Sequence, residues 1–234
     1  MLYKKIPYKK QIQALSEISQ AISSDQYLDD ILKLIVTVTA NVMDSKICSL
    51  WILDEKEKAL KIRATQTMSE EYLKERSLKL GEGVVGYVAQ KKNPLAILDV
   101  LKEPRYKEKE LARKEGLVSM LSVPLALKEK VIGVINCYTS YPHEFTETER
   151  AVLTMVANQA AICIENTELM VKTKVIQEEL EVRKLVERAK GVLMKRHGLN
   201  EEESFKRMRK ASMDSRKTLR EIAEAILLTD KMGG

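Results

Sequence analysis

From Thr146 to Lys190 the chain contains neither glycine nor proline, the two residues that most readily interrupt a helix. Thr146-Glu147-Thr148-Glu149 at its start offers an N-cap followed by acidic side chains suited to the positive end of a helix dipole. The spacing therefore predicts one helix of about 45 residues, roughly 65 Å long at 1.5 Å per residue. Val152, Met155, Gln159, Ile162, Asn166, Leu169, Thr173, Ile176 and Leu180 fall on the a and d positions of a heptad seam that breaks at Arg183. A mostly apolar seam asks for cover. Asn166 at an a position favours a two-stranded parallel pairing, so the expectation is a homodimer through residues 146–185. The alternative is an amphipathic helix folded back on its own domain.

Charge divides the chain. Residues 183–220 hold 13 Lys and Arg against 5 Asp and Glu, whereas residues 1–182 hold 26 of each sign. The formal net charge of +6 thus hides one basic module on a neutral body. Concentrated positive charge attracts polyanions and makes their binding salt-dependent; the plain alternative is a solvated helical surface.

At 234 residues and 44% hydrophobic content there is room for one medium domain and a small one, with a real core. No run of about 18 apolar residues occurs, and MLYKKIPYKK is basic without an apolar stretch behind it. The expectation is a soluble, cytoplasmic protein with no membrane partner. Cys48, Cys137 and Cys163 are isolated and lie in apolar periodic segments. They read as buried small hydrophobes and not as disulfides or metal ligands. His143 and His197 are far apart in sequence, and both have structural explanations, one in a turn and the other before Gly198 at a helix end. No catalytic group, metal site or cofactor is evident.

Apolar residues at helical spacing predict helices over 9–23 and 27–43. Strands follow at 46–53 and 59–65, joined by the polar turn 54–58. A helix is expected over 69–78, then a short one over 84–90, a strand over 95–100, a charged segment over 106–115, and strands over 118–127 and 130–140. Gly81, Gly83 and Gly86 permit close backbone approach around the short helix, and their spacing does not follow a strand as a dinucleotide fingerprint would. Pro124 inside a strand points to an edge or bulge, and Gly133 to close approach of a helix or ligand.

The order of these elements, with SLWILDEKEKAL, GEGVVGYVAQKKNPLAILDV, SMLSVPLALKEKVIGVINCY and HEFTETERAVLTMVANQAAICIENT, resembles a GAF domain over residues 10–167. The resemblance implies an α+β fold in which an antiparallel sheet is flanked by helices, with the early part of the long helix packed on the sheet. It also implies a pocket on one sheet face, covered here by residues 70–90 and 99–116, that could take an unidentified small molecule. The Asn-Lys…Phe…Asp-Glu signature of cyclic-nucleotide readers is absent. Cys48 and Cys137 lie inside predicted strands, which suits burial better than the chemistry of the sulfoxide reductases that share this fold. A scaffold that binds nothing and only dimerises is the competing reading.

Beyond residue 181, a helix should end at His197, with Gly198 as the residue that closes it. Asn200 and Glu203 have capping-box spacing for a second helix, and Asp214 or Ser215 is expected to cap a third. Val186, Ala189, Leu193, Leu199, Phe205, Met208, Leu219, Ile222 and Ile226 are the expected core of this bundle. ERAKGVLMKRHGLNEEESFKRMRKASMDSRKTLREIAEAIL resembles the ANTAR domain, an RNA-binding antitermination module, over residues 170–228. The resemblance implies recognition of paired RNA stem-loops. The matching exposed positions would be Ala189, Lys190, Gly191 and Met194 on the first helix, with Ser212, Arg216, Lys217 and Arg220 around the last. Ala189 and Gly191 would leave room for a splayed base, while Lys190 and the arginines would neutralise phosphate or stack.

The composite expectation is a signal-responsive RNA-binding regulator of transcription termination in a bacterium, acting as a dimer and without catalysis. A DNA-binding helix-turn-helix regulator is the alternative, because three helices with a basic last one fit that class too.

Overall fold

The computed structural model describes residues 28–67 and 76–232, together with Lys9, Ile12, Gln13, residues 16–18 and Gln20, all seven of them helical. The chain forms two compact units, Met1–Thr167 and Glu168–Gly234.

In the first unit the order is α1 (Leu28–Met43), β1 (Ile47–Asp54), β2 (Ala59–Thr65), β3 (Ser77–Lys79), α2 (Gly83–Lys91), β4 (Leu95–Ile97), α3 (Lys109–Glu115), β5 (Ser119–Leu127), β6 (Lys130–Thr139) and the opening turns of α4 (Glu147–His197). The strands make one sheet in the order β3-β2-β1-β6-β5-β4, every pairing antiparallel. β1, β5 and β6 are apolar almost throughout and buried along most of their length, as strands covered on both faces must be.

One face carries α1 and α4. Ile31, Leu32, Ile35, Val36 and Thr39 recur at helical spacing along α1 and turn inward against Leu50, Leu121 and Ile135 of the sheet. Val152, Val156, Ala160 and Ile164 of α4 join the same core. Thr146 caps α4 as its sequence foretold: the Glu149 amide donates to Thr146 Oγ1 at 3.2 Å, and the Thr146 amide donates to Glu149 Oε2 at 2.7 Å. Nε2 of His143 lies 2.9 Å from Glu149 Oε1, so this turn histidine serves the same cap.

The other face carries α2, α3 and the 98–108 loop. Val84, Val85, Val88, Val100, Tyr106 and Ala112 pack there over Trp51, Leu60, Met120 and Val134. Gly86 of α2 is forced by the close approach of β3, since a β-carbon would stand 2.2 Å from the Lys79 carbonyl oxygen. Gly133 is forced differently from expectation: its β-carbon would meet the Trp51 carbonyl oxygen at 2.0 Å, so the neighbouring strand β1 makes the close approach, not a helix or ligand. Pro124 is tolerated because β4 has its last partner at Ser122 and a bulge follows at Leu125/Ala126.

Three local expectations change. Of the helix expected over 69–78, residues 69–75 lie outside the described residues, while Ser77 and Leu78 belong to β3, where Leu78 pairs with Leu60. The strand expected over 95–100 stops at Ile97, because the Asp99 carboxylate accepts from the Leu101 amide at 3.0 Å and turns the chain. The charged segment 106–115 contains α3, closed by Gly116 at φ 60°.

All three cysteines are buried. Cys48 and Cys137 sit opposite each other on β1 and β6 with their sulfurs 3.8 Å apart, and burial pushes the Cys48 thiol well above its ordinary value.

In the second unit α4 runs on without interruption to His197, 51 residues in all. The first of the three expected short helices is therefore the end of the long one, and Gly191 lies inside it. Gly198, at φ 64°, closes it, its amide donating a hydrogen bond to the Met194 carbonyl at 3.1 Å. α5 (Glu201–Ser215) begins with the expected capping box: the Glu203 amide donates to Asn200 Oδ1, and the Asn200 amide to Glu203 Oε2, both at 2.9 Å. α6 (Leu219–Met232) is capped by Thr218, not by Asp214 or Ser215. Those two residues complete the last turn of α5, which Arg216 ends in the left-handed region at φ 54°. Val186, Ala189, Leu193, Met208 and Ala223 form the buried centre, with Leu219, Ile222 and Ile226 packed against it. Phe205 is not in that centre and remains 39% exposed.

Candidate nucleic-acid interface

The residues singled out for RNA contact fall into two groups. Lys190, Gly191 and Met194 lie on the last turns of α4, and the Lys190 side chain, only 9% exposed, reaches the first turn of α5. Its Nζ stands 2.8 Å from Glu187 Oε1 and 2.7 Å from Glu201 Oε1. Glu187 first, then Glu201, hold its pKa above the usual lysine range. Lys190 is thus a tie between helices with its charge already answered. Ala189, expected in the bundle core and also on the exposed side, is fully buried in that core. Gly191 faces open space, for a β-carbon there would meet nothing within 4 Å. Met194 is exposed beside it.

The second group surrounds the turn between α5 and α6. Ser212 Oγ donates to the Lys217 carbonyl at 2.6 Å, and the Lys217 amide donates to the Ser212 carbonyl at 3.1 Å. Arg216 and Lys217 project from this turn into solvent. Arg220, in the first turn of α6, pairs with Glu224 at 2.9 Å. α5 has 15 residues, so the two groups are separated by about 20 Å of helix at 1.5 Å per residue.

Between them runs a face of α5 that joins Phe205, expected in the core, to Ser212 and Arg216 of the second group. Phe205, Arg209, Ser212 and Arg216 are spaced four, three and four apart, on one side of the helix. Ser204 and Met208 are the residues that turn inward. Lys206, Arg207, Arg209 and Lys210 are exposed, and no ion pair occupies them among the described residues. The signal that could have found this face is the inward pair Ser204 and Met208, which forces Phe205 outward.

On the first unit, Trp51, Val134 and Tyr138 share their sheet face with a buried polar row. Ser49 and Ser122 flank Asn136 across β1, β6 and β5. Ser122 Oγ bonds to Asn136 Oδ1 at 2.7 Å, while Asn136 Nδ2 has no hydrogen-bond partner among the described residues. Arg76 pairs with Glu108 at the rim and lies 5.7 Å from the centre of the Trp51 ring. Burial holds the Glu108 carboxyl above its usual range in spite of that arginine.

A helix-clad antiparallel sheet, joined through one helix to a basic three-helix module, defines a two-domain protein, an α+β domain followed by a separate helical module. The GAF domain model matches residues 27–164 and the ANTAR domain model residues 174–227. The chain belongs to the GAF domain family and carries an ANTAR domain behind it. It is similar to the phosphoenolpyruvate-dependent phosphotransferase system of Escherichia coli, 25% identical over 155 residues, which are 66% of this chain and 21% of that one. It is similar also to the transcriptional regulatory protein PdtaR of Mycobacterium tuberculosis, 34% identical over 120 residues, 51% of this chain and 48% of that one. The chain thus spans half or less of the curated relatives it matches. Among solved structures, the GAF domain of a phosphoenolpyruvate-protein phosphotransferase from Coxiella burnetii superposes with a TM-score of 0.64 at 24% identity, over 70% of this chain and 98% of that one, a likeness of fold. No described helix is long and apolar enough to cross a membrane.

Proposed function

We propose that this protein is a bacterial, cytoplasmic RNA-binding regulator that prevents transcription termination by engaging paired stem-loops in nascent RNA, under the control of a signal received by its GAF domain. The observation that carries the reading is the ANTAR match over residues 174–227, on a module whose α5 exposes Lys206, Arg207, Arg209 and Lys210 without ion pairs among the described residues. The likeness to a transcriptional regulatory protein supports it. It acts by binding, with Gly191, Met194, Ser212, Arg216 and Lys217 at the RNA, and with Ala189 and Lys190 supporting the helices that present them. The orphaned amide of Asn136 and the half-buried Arg76–Glu108 pair support a small polar ligand on the GAF domain's sheet face.

The working unit is a parallel homodimer. In the first unit α4 leaves Met155 and Ile162 exposed, and in the second Leu169, Ile176 and Leu180. All five lie on the heptad seam, and a second copy of the same seam is the cover that suits them. Pairing makes the RNA contact bivalent, so two stem-loops on one transcript bind more tightly than either alone.

Competition binding tests the reading. A two-stem-loop RNA should displace labelled RNA at far lower concentration than duplex DNA of equal charge, and Arg216→Ala should reduce that preference. Equal competition by any polyanion overturns it, and preference for the duplex favours the DNA-binding alternative.

A further inference from the structure

Phe205 lines a shallow cleft with Lys190, Glu201 and Glu202, where the end of α4 meets the start of α5. Phe205 keeps its ring 39% exposed, open to cover by a flat partner. Its neighbours say what the cover is. Lys190 answers the charge of Glu201, which leaves Glu202 as a carboxylate with no hydrogen bond or ion pair among the described residues. Lys206 and Arg209, each one turn further along α5, stand exposed on the solvent side. The cleft therefore offers a flat ring, a free acceptor pair and flanking cations, which are the elements that hold an unpaired base: a stacking platform, a partner for its edge, and charge for its phosphates.

We propose that this cleft is a nucleobase subsite that receives one unpaired guanine of an RNA loop, stacked on Phe205, with its N1–H and N2–H groups donating to the Glu202 carboxylate. Guanine is the base chosen because it is the only standard base with two adjacent N–H donors on its Watson–Crick edge, matching an acceptor-only carboxylate. Lys190 is a positioning residue here: by holding Glu201 it keeps a second negative charge from facing the RNA. Phe205, Arg209 and Arg216 then form one continuous track along α5, which links the two separated groups of the interface. The inference rests on the reading of the module as an RNA binder.

The test uses the full-length chain and a two-stem-loop RNA in which each loop base is replaced in turn, guanine also by inosine. Phe205→Leu, which keeps an apolar side chain and removes the stacking face, should lose about tenfold or more in affinity, whereas Phe205→Tyr should retain it. At one loop position, guanine to inosine and guanine to adenine should each weaken binding by the wild type, and those losses should vanish in Glu202→Gln, the signature of a direct pair. Thermal melts of each variant check folding, and Phe205→Leu should melt like the wild type. Unchanged affinity in Phe205→Leu, or loop substitutions that act identically in wild type and Glu202→Gln, overturns the subsite and leaves the RNA reading intact. A wild type indifferent between stem-loop RNA and duplex DNA overturns both.

Discussion

Lys190 Nζ lies 2.7 Å from Glu201 Oε1 and so ties the last turns of α4 to the first turn of α5. Lys190 holds the Glu201 carboxyl below its usual range, and the stabilisation this represents is present above the ordinary glutamate value near 4.3 and is lost as pH falls through the depressed one. Lys190, raised in turn, contributes at every pH below the ordinary lysine range and loses that contribution only above it. Thermal melts followed by circular dichroism from pH 7 down to pH 3 should therefore fall more steeply for the wild type than for Glu201→Gln. Parallel curves would show that the tie contributes nothing to stability.

Two glycines should respond in opposite ways to the same methyl group. Gly133→Ala drives a β-carbon onto the Trp51 carbonyl oxygen, between two central strands that have no room to part. The cost should be about 3 kcal/mol or more, visible as a large drop in the urea midpoint. Gly191→Ala meets open space inside a helix and should stabilise the protein by about 1 kcal/mol. If RNA approaches the backbone there, the stabilised variant should bind the stem-loop pair more weakly, an outcome that a purely structural glycine would not give.

Thr218→Ala removes the hydroxyl that accepts from the Glu221 amide and should cost about 1 kcal/mol. Asp214→Ala, in the last turn of α5, should leave the melting temperature almost unchanged. The pair of measurements separates a cap at Thr218 from one a turn earlier.

Leu169→Glu together with Ile176→Glu places carboxylates on the exposed seam of α4. Light scattering at micromolar concentration should report a dimer for the wild type and a monomer for the double variant, with the GAF domain still folded. A monomeric wild type would remove the dimer from the proposal.

Periodicity made five of the six strands and the capping residues Thr146 and Asn200 legible, because both depend on local chemistry that spacing records. Thr218 was hidden by a competing pair of good capping residues, Asp214 and Ser215. What separates them is the left-handed turn at Arg216, a conformation that an arginine does not announce. β3 was read as helix because Leu78 draws its structure from pairing with Leu60, a contact remote in sequence. At the interface, the residue types were readable and their depth was not. Phe205, expected in the core, is exposed, and Ala189, expected both there and at the RNA, is buried, because an apolar residue at a helix's margin can be turned either way by the helix it packs against.

The unbroken course of α4 makes chain length a phase. A flexible segment would absorb an inserted residue, but each residue added between Leu169 and Leu180 would turn Leu180 by about 100° away from the line of Leu169 and advance it 1.5 Å. An insertion of seven residues returns nearly to the starting angle; an insertion of two does not. The count of residues is therefore what keeps the exposed apolar side chains of this stretch in one line.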